Sequence, residues 1–103
     1  MNKIEASYVG GRVLLSVGED TLVWRTADEF AIFMGAIIDG HPQLVQPCPQ
    51  GRQVFLGMIK PGQPLFAFVP HEGAEEFRMD MGMLVNRVVW QARAYEAALA
   101  ALY

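Results

Sequence analysis

The 103 residues, 52% hydrophobic and 18% charged with a mean hydropathy of +0.20, carry too much apolar material for a disordered segment and enough for one globular domain over residues 1–103. Ten glycines without a period and a single cysteine exclude collagen-like and disulfide-scaffold classes. A net charge of −3 and a pI near 5.2 argue against general attraction to phosphate backbones or anionic lipid, so neither nucleic acid nor membrane is an expected partner.

Residues 4–9 alternate, with Ile4, Ala6 and Tyr8 on one side and Glu5 and Ser7 on the other, the period of a half-buried strand. Gly10-Gly11 signals a two-residue hairpin, and residues 12–17 form the return strand with Val13, Leu15 and Val17 facing one way. Gly18-Glu19-Asp20 is a second tight turn before a third strand over 21–25. The first quarter therefore reads as an antiparallel meander.

Thr26-Ala27-Asp28-Glu29 is a capping box, in which Thr26 accepts from the amide of Glu29 and Glu29 reaches back to the cap amide. Phe30, Phe33, Met34, Ile37 and Ile38 then follow the apolar spacing of an amphipathic helix. Gly40 ends that helix and Pro42 blocks its continuation. His41, Pro42, Pro47, Cys48, Pro49 and Gly51 make residues 41–51 an ordered, partly extended loop, because its prolines disfavour helix and central strand.

Residues 53–59 and 65–69 are strands joined through Pro61-Gly62, a pair suited to a type II turn. Both are apolar on both faces, with Phe66 and Phe68 opposite Leu65, Ala67 and Val69. Such strands are expected to be covered on two sides, and a second subunit is one candidate cover. From Ala74 to Leu102 there is no proline and one glycine, Gly82, which would mark a bend or a close helix crossing. One long helix is expected there. Phe77, Met81, Leu84, Val88, Tyr95 and Leu102 form its core stripe, and Met79, Met83 and Trp90 form a separate one.

The order β-β-β-α-β-β-α predicts an α+β fold, an antiparallel sheet of about five strands with helices packed on it and a long C-terminal helix. A five-stranded barrel of the OB type with an added helix has the same order and ranks second, because the first turns are tight and the acidic balance lacks a basic groove.

Residues with catalytic potential are sparse. His41, Cys48 and His71 show no metal-ligand spacing, and the prolines beside Cys48 offer it no cation or helix N-terminus. The carboxylate pairs Glu19-Asp20, Asp28-Glu29 and Glu75-Glu76 fall at turns and helix starts. No phosphate-binding, dinucleotide-binding or nucleophile-elbow motif is present. No catalytic residue, cofactor or metal is therefore assigned. Arg78, Arg87 and Arg93 are interrupted by acidic residues and read as a solvated helix face.

The six methionines matter more, since Met-rich apolar surface adapts to protein partners. Met81 fits the core. Met79 and Met83 fit core or interface, and they are carried as interface candidates with Trp90, Phe66 and Phe68. The expected function is a non-catalytic protein-binding or regulatory domain, self-associated as a homodimer through the long helix and the 53–69 hairpin. The alternative is a small acidic chaperone or adaptor holding an extended segment of another protein, and a small enzyme or ligand-binding barrel comes third. A lone Cys48 and no signal-like or spanning apolar run favour a reducing cytoplasm. Six Arg against two Lys and abundant Ala fit a GC-rich bacterial or phage genome.

Overall fold

A computed structural model describes residues 3–102. The chain forms two units of the same plan, each a three-stranded antiparallel meander followed by a helix. The first contains β1 (Ile4–Val9), β2 (Arg12–Val17), β3 (Asp20–Trp24) and α1 (Ala27–Ile38). The second contains β4 (Val45–Cys48), β5 (Gly51–Lys60), β6 (Gln63–Pro70), one 3-10 turn over His71–Gly73, and α2 (Ala74–Ala101). The α+β class and the long last helix are as the sequence predicts. The single five-stranded sheet is not. There are two sheets, ordered β1-β2-β3 and β4-β5-β6. Nor do the described strands close into an OB-type barrel, because no hydrogen-bonded ladder joins the two sheets.

The extra strand is β4, inside the segment read as a loop. Pro47 sits within it, opposite Arg52. An edge strand tolerates a missing N–H where a central strand does not, and β4 pairs only with β5. Gly51 opens β5 where β6 runs very close, so that a Cβ there would strike the Val69 carbonyl oxygen and Pro70. A bulge between Phe55 and Gly57 then shifts the pairing with β6 and breaks the simple alternation of β5.

Turn and cap chemistry follows the sequence closely. Gly10 and Gly11 both adopt positive φ, 59° and 85°, in the β1–β2 hairpin. Thr26 caps α1 by accepting from the amide of Glu29 at 3.0 Å. The reciprocal half of the box does not form. The Glu29 carboxylate instead accepts from Arg25 at 3.2 Å, one helical turn back. At the other end Gly40 donates to Ile37 and His41 donates to Ala36, two bonds that close a Schellman turn.

Inward residues of both sheets and both helices form one core. Val13, Leu15, Phe30, Met34, Val54, Leu56, Met81 and Val88 are its largest fully buried side chains. Trp24 stacks edge-on against Phe30, with centroids 5.3 Å apart, and Phe33 links the pair to Phe55 of the second sheet. The core stripe of α2 is Phe77, Met81, Leu84, Val88 and Ala92. It stops there. Tyr95 and Leu102, read from the sequence as part of that stripe, are exposed. The sheets are too short to follow a 28-residue helix to its end. Gly82 has nothing within 4 Å of the position of a Cβ, so no element crosses the helix closely there.

Candidate functional site

The solvent face of α2 is set by helical geometry. At about 100° per residue, Met79, Met83 and Trp90 fall within about 40° of one another and on the opposite side of the helix from Val88. All three are open to solvent, Met79 at 64%, Met83 at 62% and Trp90 at 73% of full exposure. A face this apolar pointing outward is unusual for a small domain, whose exposed apolar residues ordinarily occur singly.

The hairpin β5–β6 adds the second part. Its inner face, Val54, Leu56, Ala67 and Val69, is buried, while Phe66 and Phe68 stand out at 46% and 47% exposure. The expectation that these strands are covered on both faces therefore holds for one face within a single chain. Phe66 makes an edge contact with Phe55, centroids 5.6 Å apart.

Two grooves tie the helix and sheet parts together. One, of about 570 Å³, runs between α2 and the free edge of β1 and is lined by Ala6, Phe77, Asp80, Met83 and Arg87 among others. The other, of about 610 Å³, lies between α2 and β6 and is lined by Val17, Phe66, Phe68, Pro70, Phe77 and Asp80 among others. They share Phe77 and Asp80. Met83, on the first groove, and Phe66 and Phe68, on the second, thus border neighbouring grooves that meet at those two residues. Trp90 stands about 10 Å farther along the helix than Met83, beyond the groove linings.

Asp80 and Arg87 flank this surface; the sequence placed both on a solvated helix face and did not join them to the Met83–Trp90 stripe. Each is exposed, and neither takes part in an ion pair among the described residues. The signal that could have found them was their seven-residue spacing, which sets both on one side of the Met83–Trp90 line.

The residues with catalytic potential are dispersed over loops and strand ends. Cys48 is half-buried at the end of β4. His41 is exposed, and its Nδ1 accepts from the amide of Gln43 at 3.2 Å. His71 opens the 3-10 turn with its Nε2 at 3.4 Å from the Pro49 carbonyl oxygen. Among the described residues no three His, Cys, Asp or Glu side chains gather in a way that could hold a metal ion. Tyr8, packed edge-on against Tyr95 with centroids 5.6 Å apart, has its hydroxyl pKa raised above the ordinary 10.0 by desolvation and by the nearby Glu96 carboxylate. Among the described residues no helix is long and apolar enough to cross a membrane.

No protein-family model matches the chain, and neither the curated proteins nor the solved structures hold a significant match to it. The functional reading therefore rests on the surface itself.

Proposed function

We propose that the chain is a non-catalytic protein-binding or regulatory domain that works through the apolar surface of its second unit and self-associates as a homodimer. The observation that carries this reading is the outward placement of Met79, Met83 and Trp90 on the side of α2 opposite the core, beside a depression bordered by Phe66 and Phe68. Burial of that surface by a protein removes apolar area from water at about 25 cal/mol per Å². Trp90 is the natural anchor, since tryptophan is enriched among the residues that dominate interfaces. A reducing compartment suits the reading, because Cys48 then stays a thiol.

The test is a paired measurement on Trp90→Ala: the dissociation constant of self-association, and the unfolding midpoint at a dilution where the subunits are separate. The variant is expected to lose about 2 kcal/mol or more of association while the isolated subunit melts as before. Loss of folding stability of roughly 3–5 kcal/mol, without selective loss of association, would place Trp90 in the core and overturn the reading.

A second reading has its own support. Among the described residues β1 and β6 each pair with one neighbour, and residues of both strands line the two grooves. An extended segment of another protein could add to either strand while its side chains enter the groove, as a holding chaperone or adaptor would require. Binding of an extended, apolar client peptide by the separated subunit, with loss of binding on mutation of groove residues, would favour this reading over the first.

A further inference from the structure

The charges beside the stripe distinguish between the ways a second copy could lie on it. Asp80 and Arg87 are seven residues apart, two helical turns, or about 10.5 Å along the helix axis. Both line the groove between α2 and β1, with Met83 between them in sequence. A two-fold axis parallel to α2 would set Asp80 against its own copy and Arg87 against its own copy, like against like. A two-fold axis perpendicular to α2, passing between Met83 and Leu84, does the reverse. It sets Asp80 against the partner's Arg87 and Arg87 against the partner's Asp80, two opposite-charge pairs made by one symmetric contact.

We propose that a second copy of this chain docks here with its α2 antiparallel to the first, the axis at the midpoint of Asp80 and Arg87 and Met83 beside it. The proposal rests on the self-association reading above and fixes its geometry. In this arrangement Met83 meets its own copy and the groove between α2 and β1 is roofed by the partner helix.

The arrangement also places the far end of α2. Arg93 to Ala101 are exposed throughout and lie beyond the last buried residue, Ala92. From the axis, Ala101 is about 26 Å away, whereas the start of α2 is about 14 Å away. In an antiparallel pair the end of each helix therefore passes about 12 Å beyond the start of the other. The stretch that faces the partner's second groove, lined on α2 by Glu76, Phe77 and Asp80, is residues 87–91, which sets Trp90 across from the partner's Phe77.

The experiment uses the full chain in a Cys48→Ser background, with one new cysteine at a time. Met83→Cys is expected to form an inter-chain disulfide under mild oxidation. Ala94→Cys is expected not to, because the antiparallel geometry sets the two copies about 31 Å apart along the axis, far beyond the roughly 7 Å Cα reach of a disulfide. Separately, Asp80→Arg and Arg87→Asp are each expected to weaken self-association roughly tenfold or more, and the double charge swap is expected to restore it. A dimer that cross-links through Ala94→Cys is parallel, and a dimer that cross-links through neither uses another face. Either result overturns the proposal while leaving self-association standing, and so does a double swap that fails to restore binding. A chain that stays monomeric at micromolar concentration removes both.

Discussion

The two units share one plan, three strands and a helix, yet they finish their surfaces differently. The first unit exposes three large apolar residues, Val9, Val23 and Ile32, one each on β1, β3 and α1. The second exposes Met58, Phe66, Phe68, Met79, Met83, Trp90, Tyr95, Leu99 and Leu102, of which Met83, Phe66 and Phe68 border two neighbouring grooves. The helices differ in the same sense. α1 has 12 residues and stops at a Schellman turn. α2 has 28 residues and continues past the core. A unit that is complete in itself trims what it cannot bury, whereas the second unit retains it. The difference teaches that the fold buries its apolar residues more completely in the first unit and leaves more of them exposed in the second.

The comparison predicts that mutations divide by unit: those in the first change folding, those on the outer face of the second change association. The largest effect is expected at Phe30, which is fully buried where α1 meets Trp24. Phe30→Ala should cost about 3–5 kcal/mol of folding stability in denaturant titration. Next comes Phe68 on the open face of β6. Phe68→Ser should weaken self-association by about 1 kcal/mol or more and change the stability of the separated subunit by less than about 0.5 kcal/mol. If Phe68→Ser instead destabilises the subunit as Phe30→Ala does, the division between the units fails.

Smaller still is the cap. Thr26→Ala removes the acceptor for the Glu29 amide and should cost about 1 kcal/mol of stability with no effect on association. The smallest effects are expected at His41 and Cys48. His41→Ala loses one exposed hydrogen bond to Gln43, and Cys48→Ser alters a half-buried atom on an edge strand. Each should move folding by no more than about 0.5 kcal/mol and leave association unchanged. A selective loss of biological activity in either, with circular dichroism unaltered, would assign chemistry to the segment between α1 and β5.

Much of the fold was legible because local physical chemistry decides it. Gly10-Gly11, the cap at Thr26, the apolar spacing of Phe30, Met34 and Ile37, and Gly40 after the helix each act within a few residues of themselves. What escaped depends on neighbours distant in sequence. Pro47 argued against a strand, but an edge position with only β5 beside it removes the objection. The bulge near Gly57 follows from the fit of two strands rather than from either one. Tyr95 and Leu102 share a helical face with Phe77, and only the extent of the sheets determines that the core stops at Ala92. The repeat of the βββα plan leaves no repeat in the sequence, because backbone topology constrains side chains only in pattern. The outward position of three residues on α2 was legible for the opposite reason. Met79, Met83 and Trp90 lie off the core stripe by helical periodicity alone, and the structure leaves them outside.

The central claim is that a second copy of the chain covers the outer surface of the second unit. Static light scattering of the full chain across the micromolar range tests it most directly. The account predicts a mass of twice the 11.4 kDa chain, falling toward the single-chain value on dilution. A mass near 11.4 kDa at every concentration would contradict it.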